Sequence, residues 1–252
     1  MKTNFKITVE YDGTSFAGWQ VQNNSKTVQG ELEKALSMIL NQPIKINGSG
    51  RTDAGVHALG QVATFHASTA IGCEELKKGV NSLIKYPIVI HECIKVHDKF
   101  HARYDARQKE YHYHILNRQD PSAIGKDYIW HIQKPLDLAT MEECCRIITG
   151  THDFKAFEGS GSPRSTTIRT IFSAKFEIKE DHYLVFKIRG NGFLRFMVRN
   201  IIGTLVLAGI GKLTPKEFRT VLEKMDRNLA GATAPARGLF LMNVIYDSEQ
   251  PL

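Results

Sequence analysis

Cysteine is scarce in this chain of 252 residues, and Cys73, Cys93, Cys144 and Cys145 form no Cys-x-x-Cys pair. The adjacent Cys144 and Cys145 suit a reduced compartment better than a disulfide framework. Long apolar runs are missing as well. The longest, around Ile201 to Ile210, is too short to span a bilayer and reads as a buried helix. No secretory leader is apparent, because Met1-Lys2-Thr3-Asn4 runs straight into an alternation of polar and apolar residues. There is no low-complexity tract, no P-loop and no dinucleotide fingerprint, so no nucleotide or redox cofactor is expected. His112 and His114 share one face of an expected strand, yet no further ligand cluster lies near them in sequence, and no metal is expected. A soluble, cytoplasmic protein without cofactor or membrane partner is the resulting expectation.

Positive charge is what the chain has in excess. Lys and Arg number 33 against 26 Asp and Glu, a formal charge of +7, which favours an anionic partner such as nucleic acid. The length allows one large domain or two small ones, with room for a substantial core.

Periodicity divides the chain into two similar halves. Phe5, Ile7, Val9 and Tyr11 alternate with Asn4, Lys6, Thr8 and Glu10 as in a half-buried strand, which Asp12-Gly13 ends. Thr27 is placed to cap a helix carrying Val28, Leu32, Leu36, Ile39 and Leu40. Ile44 to Asn47 and Gln61 to His66 follow as strands, Glu74 to Ile84 as a helix and Ile88 to Val96 as a strand. The second half gives a strand around Tyr111, Tyr113 and Ile115, then a helix from Met141 to Ile148. Arg169 to Ile178 and His182 to Arg189 read as a hairpin turning at Glu180-Asp181. A helix from Phe193 to Ala208 follows. Thr214-Pro215-Lys216-Glu217 is a capping box opening a helix to about Met225, and Leu239 to Tyr246 is the last strand. Each half follows β-α-β-β-α-β, the ferredoxin-like α+β pattern. Residues 1–104 and 105–252 are the expected halves, and two such sheets could pair edge to edge. Between them, Arg103 to Lys109 is a basic hinge without the Gly, Ser or Pro run of a flexible linker. Glu158 to Arg164 reads as a loop tip, with a basic lid as the functional alternative.

The most informative segment is Gly48 to Phe65, within which Arg51-Thr52-Asp53-Ala54-Gly55-Val56-His57 places one carboxylate among glycines and beside a cation. Gly48, Gly50, Gly55 and Gly60 permit tight turning or close approach. Asp53 is the only acid there, which excludes the paired-carboxylate chemistry of glycosidases. Beside Arg51 it would be held ionised and could act as nucleophile or base, although residue types alone fit a surface turn equally well.

The order of those residues resembles the signature of the tRNA pseudouridine synthase A family. The resemblance extends over nearly the whole chain. It runs through Tyr11-Asp12-Gly13-Thr14, Phe100-His101-Ala102-Arg103, Ala234-Pro235-Ala236 and Gly238-Leu239, five separated blocks in order with the aspartate motif. It implies an RNA-modifying isomerase that breaks the N1–C1′ bond of uridine, turns the uracil over and joins C5 to C1′. Such a base must leave its stack. The resemblance further implies two ferredoxin-like halves sharing a mostly antiparallel sheet crossed by a cleft. It implies a tRNA substrate converted in the anticodon stem-loop at positions 38, 39 and 40, and a homodimer.

By the same resemblance Asp53 is the essential carboxylate, which could attack the ring, attack C1′ or remove a sugar proton. Arg199 is the arginine that pairs with it, Tyr111 stacks on the target base, and Arg51 helps extrude the base or contacts a phosphate. On residue type alone Tyr111 reads as a core aromatic, and Arg195 with Arg199 as one basic face at i, i+4. The apolar turn at Ile201 and Ile202 suggests that Arg199 points inward, where it would need a carboxylate such as Asp53. The family often has His where this chain has Phe196, a local change of packing or RNA contact. His101, Arg103, Arg107, Lys109, Arg164 and Arg169 are candidates for a phosphate-binding surface, persuasive as a set. A non-catalytic RNA-binding module would share the halves and the charge, but the chain lacks the aromatic consensus of such modules. The same isomerisation on another RNA site is the second alternative, and a nucleoside hydrolase would need more acidic ligands than Asp53.

Overall fold

Alternating apolar residues from Phe5 to Tyr11 build the first strand of the computed structural model, which describes residues 2–159, 161, 165–180 and 182–247. In chain order the first elements are β1 (Thr3–Tyr11), α1 (Val28–Leu40), β2 (Asn47–Gly48), β3 (His57–Ala67), α2 (Cys73–Leu83) and β4 (Ile88–Val96). Then come β5 (Gln108–Leu116), β6 (Trp130–His131), α3 (Leu138–Ile148), β7 (Gly150–Asp153), β8 (Ile168–Ile178) and β9 (Tyr183–Gly190). The last are α4 (Met197–Gly209), α5 (Pro215–Lys224) and β10 (Leu239–Ile245). The fold is α+β with mostly antiparallel strand pairs, and it divides into two compact units, Met1–Arg107 with Phe240–Leu252 and Gln108–Leu239.

In the first unit β1 lies between β4 and β3, antiparallel to both, and β2 pairs antiparallel with β3. The order β4-β1-β3-β2 is that of a ferredoxin-like sheet. Phe5, Ile7, Val9 and Tyr11 are buried together with Val28, Leu32 and Leu36 of α1 and Leu76 and Val80 of α2. Thr27 caps α1 by accepting from Gly30 N–H, and Asn41 ends it in the left-handed region at φ 47°. The strand expected over Ile44 to Asn47 shrinks to Asn47–Gly48. Upstream, Ile44 N–H donates to Ser37 Oγ and Ile46 N–H to Glu33 Oε1, so side chains of α1 take the bonds a strand would have made. β3 starts earlier than Gln61, because His57 and Ala58 pair in parallel with Phe240 and Leu241 of β10.

In the second unit β5 pairs antiparallel with β9, β9 with β8, and β8 with β7. Strands β6 and β7, absent from the sequence reading, are short additions on β5 and β8. α3 begins three residues before the expected Met141, because Asp137 caps it by accepting from Ala139 and Thr140 N–H. The capping box of α5 forms in both directions between Thr214 and Glu217. α4 starts at Met197 rather than Phe193. Phe196 sits in the left-handed region at φ 61°, which breaks any helix running through it, so Arg195 and Arg199 are not one helical face. Ser160, Ser162, Pro163 and Arg164 of the expected loop, and Asp181 of the expected hairpin turn, lie outside the described residues.

Candidate active site

Asp53 lies in the loop between β2 and β3, and the sequence around it fixes the backbone at several points. Val56 N–H donates to Asp53 C=O at 3.1 Å, closing a four-residue turn whose third residue, Gly55, has φ 77°. A positive φ at that position is the geometry glycine supplies without strain. Trp19 N–H donates to Thr52 C=O at 3.1 Å, and the Thr52 hydroxyl shares a 2.8 Å hydrogen bond with the Tyr11 hydroxyl. Burial pushes the Tyr11 phenol far above its usual ionisation range, while hydrogen bonds to Thr52 and Gln61 act in the opposite direction. Ser49 is fully buried and donates to Gln61 Oε1, and Gln61 Nε2 returns a bond to Gly50 C=O. The loop therefore hangs from β1 and β3 by backbone and side chain alike. The Asp53 side chain itself is half-exposed.

The block Tyr11-Asp12-Gly13-Thr14 braces the far end of this loop. A Cβ on Gly13 would lie 2.0 Å from Val56 C=O, so only glycine permits that approach. His57 is 1% exposed, with Nδ1 3.0 Å from Asp12 Oδ1 and its ring stacked on Phe240 at 4.6 Å. Asp12 Oδ1 also accepts from the amide and hydroxyl of Thr14. In the sequence, the Asp-Gly-Thr turn pattern is the one local sign of what Asp12 and His57 do. Arg51, exposed at the start of the turn, donates through Nε to Gln20 Oε1 at 3.0 Å and forms no ion pair with Asp53 among the described residues.

Arg103 and Arg107 stand on the segment after β4. Arg107 pairs with Asp247 at 2.7 Å on the surface, while Arg103 forms no ion pair among the described residues. Tyr246, next to Asp247, donates its hydroxyl to Ala102 C=O, and Arg107 N–H donates to Ile245 C=O, so the segment carrying His101, Arg103 and Arg107 is tied to the end of β10.

In the second unit Tyr111 is paired with Ile188 of β9, 7% exposed, and its ring meets Phe193 edge-on at 5.1 Å. Tyr111, Tyr113 and Ile115 are buried on one side of β5, as their alternation predicts. Tyr113 donates its hydroxyl to Pro235 C=O at 2.8 Å. Burial raises the Tyr113 phenol well above its ordinary range, opposed by the charges of Arg199 and Arg237. Arg199, the third residue of α4, is half-buried. Its Nε donates to Ala234 C=O at 2.8 Å, and Ala234 N–H returns a bond to Arg199 C=O. This fastens the Ala234-Pro235-Ala236 block to α4. The guanidinium carbons of Arg195 and Arg199 lie 4.7 and 5.2 Å from the centre of the Phe196 ring. A bulky residue at positive φ costs about 1–3 kcal/mol, and such outliers cluster at functional sites. Arg169, the second residue of β8, lies opposite His152, its guanidinium donating to Thr166 and Ile168 carbonyls. His112 engages Glu110 and His114 engages the Tyr183 hydroxyl. Lys109 stands on β5 opposite Gly190, with its side chain half-buried.

Comparison with known proteins bears on this arrangement. The family model described as tRNA pseudouridine synthase matches residues 7–105 and 145–247. The chain is 44% identical over 243 residues to tRNA pseudouridine synthase A of Thermoanaerobacter sp. (strain X514), covering 96% of this chain and 99% of that one. It is likewise 44% identical over 243 residues to tRNA pseudouridine synthase A of Acetivibrio thermocellus, with the same coverage of 96% and 99%. Among solved structures, a chain in the crystal structure of the archaeal box H/ACA sRNP Nop10-Cbf5 complex aligns at a TM-score of 0.35 and 12% identity. That alignment covers 80% of this chain and 43% of the other, too distant a likeness to bear on the site. The matched segments include the Asp53 loop and α4 with Arg199, whereas β5 with Tyr111 lies between them. Full-length identity at this level, with an aspartate held on a braced turn, leaves one conclusion: the chain belongs to the tRNA pseudouridine synthase family, isomerases of tRNA uridine.

Proposed function

We propose that this enzyme converts uridines at positions 38, 39 and 40 of the tRNA anticodon stem-loop, acting as a homodimer in the cytoplasm. The observation that carries the catalytic part of this reading is the Asp53 turn. It is a half-exposed carboxylate on a backbone fixed through Thr52, Val56 and Gly55, the posture a reacting group needs and a plain surface turn does not.

In this reading the N-terminal half, residues 1–104, presents Asp53, and the C-terminal half, residues 105–252, supplies the stacking Tyr111 and the basic Arg199. Asp53 engages the extruded uridine while its N1–C1′ bond breaks and C5 joins C1′. The proton on C5 leaves to solvent, N1 gains one, and no redox or energy-coupled cofactor takes part. Arg199 pairs with the Asp53 carboxylate and holds it ionised, the role an opposite charge plays for a catalytic acid. Its anchoring to Ala234 C=O supports a fixed guanidinium. Tyr111 stacks on the target base, supported by its edge contact with Phe193. Arg51, Arg103, Arg107 and Arg169 contact the RNA backbone, which supplies affinity and register more than sequence readout. Several neighbouring uridines are then selected by the shape of the stem-loop.

Mapping the product tests the positional claim. Transcribed tRNA treated with the enzyme and then with a carbodiimide that marks pseudouridine should give reverse-transcription stops at 38, 39 and 40. Stops confined to another arm would reject the stem-loop assignment while leaving the isomerase intact.

A further inference from the structure

Tyr104 is the most exposed aromatic side chain among the described residues, at 73%. It follows the Phe100-His101-Ala102-Arg103 block, and the backbone that carries it is not loose. His101 Nδ1 accepts from Arg103 N–H at 3.1 Å and Tyr104 N–H at 3.4 Å. His101 N–H donates to Asp105 Oδ2 at 2.8 Å, and Asp105 N–H returns to His101 C=O. From β1, the fully buried Asn4 donates through Nδ2 to His97 and Phe100 carbonyls, and Tyr246 donates to Ala102 C=O. The His101 ring lies 4.3 Å from the Tyr104 ring and steadies it. The Arg103 guanidinium is 5.8 Å from the same ring and makes no ion pair among the described residues, and the Tyr104 hydroxyl has no partner there either.

A turn held by this many bonds, presenting a largely exposed aromatic ring beside a cation that makes no ion pair among the described residues, gains little for folding from either side chain. Burial of an aromatic stabilises; exposure of one on a fixed backbone does not. A flat π face next to a guanidinium is instead the composition that holds an unstacked base and its phosphate. We infer that Tyr104 and Arg103 form a stacking platform for an unpaired nucleobase of the tRNA, a contact separate from the reacting uridine. The occupant is RNA rather than a second protein chain because the accompanying charge is a cation, complementary to phosphate, in an enzyme whose substrate is tRNA. The platform rests on tRNA being the substrate and not on which uridines are converted. His101 is a positioning residue in it, its Nδ1 being occupied by the backbone of the turn.

The test is equilibrium binding of the full-length enzyme to a tRNA transcript and to a blunt RNA duplex of similar length, at fixed salt. Tyr104→Ala should weaken tRNA binding about tenfold and leave duplex binding unchanged, in keeping with the worth of one base stacked on an aromatic. Tyr104→Leu keeps apolar bulk without a π face and should behave as the alanine variant does, whereas Tyr104→Phe should stay within about twofold of wild type. Arg103→Ala should lower the slope of log affinity against log salt by about one. Equal tRNA affinity for wild type, Tyr104→Ala and Tyr104→Leu would overturn the platform. Equal loss on tRNA and duplex would overturn it in favour of a backbone contact. A changed sedimentation coefficient of Tyr104→Ala without RNA would overturn it in favour of an interface between copies of the chain. If product mapping placed the modification outside positions 38 to 40 while the Tyr104 variants behaved as expected, the platform would stand and only the positional assignment would fall.

Discussion

Nδ1 of His57 lies 3.0 Å from a carboxylate oxygen of Asp12, which ties the end of the Asp53 turn to the residue that follows β1. Gly13 N–H is 3.1 Å from the same nitrogen. With a proton on Nδ1 the ring donates to Asp12; without it, Gly13 N–H donates to the ring. In either state the buried imidazole holds two motif blocks in register, and its other anchor is the stacked ring of Phe240.

Removing that anchor should affect both fold and rate. His57→Ala removes the imidazole contact of Asp12 and Gly13 and opens space beside Phe240, at a cost of about 1–3 kcal/mol in stability. The turnover number should fall much more than the affinity for tRNA does, because the carboxylate is misplaced and the RNA surface is not. Urea unfolding with steady-state kinetics measures both. A variant of wild-type stability and turnover would show that the pair does not position Asp53.

Arg199 is expected to matter more for chemistry than for folding. Arg199→Ala loses the bond to Ala234 C=O, worth about 1 kcal/mol or somewhat more for a charged donor, while activity should drop by at least about a hundredfold. Arg199→Lys keeps a charge but not the planar fork and should recover little. Thermal melting beside single-turnover rates separates the two effects.

Phe196 holds an uncommon backbone conformation, and its ring is approached by the guanidinium groups of Arg195 and Arg199. Phe196→His, the residue the family often carries there, keeps a flat ring and should stay within a few-fold of wild-type kcat/KM. Phe196→Ala keeps the strained backbone and removes the ring contacts with Arg195 and Arg199. It should lose about tenfold in kcat/KM, since each cation–π contact is worth about 0.5–1 kcal/mol.

Burial raises the Cys93 thiol from 9.0 to about 12, with the neighbouring Cys73 acting in the same direction. Cys145 is raised as well, by burial first and by Glu142 second. A raised folded-state value means the folded protein keeps protons that the unfolded chain has lost. The stabilising effect is therefore complete below about pH 9 and is lost as pH climbs toward 12. The melting temperature under reducing conditions should fall through that window, less steeply for Cys93→Val. A flat profile above pH 9 would mean that these thiols are not shielded from water.

Much of the fold was legible because its signals are local. Thr27, Thr214 and Glu217 mark helix starts by hydrogen bonds within three residues, and the alternation of Phe5 to Tyr11 and Tyr111 to Ile115 marks buried strand faces. What escaped depends on distant partners. Ile44 and Ile46 look like strand residues until Ser37 and Glu33 take their amides. The helix through Phe193 fails because of one left-handed residue, Phe196, whose side chain gives no hint of it. Asp53 was visible as a motif, but the braces that give it a fixed position, Tyr11 to Thr52 and Asp12 to His57, join residues more than forty positions apart. Tyr104 carries no signal beside Arg103, because exposure is not written in local spacing.

The most direct test of the central claim is tritium release from transcribed tRNA labelled at C5 of uridine, with wild type and Asp53→Asn side by side. Wild type should release tritium as C5 joins C1′, and Asp53→Asn should release only a trace while binding the same tRNA with nearly unchanged affinity. Substantial release by Asp53→Asn would contradict the assignment of Asp53 as the reacting carboxylate.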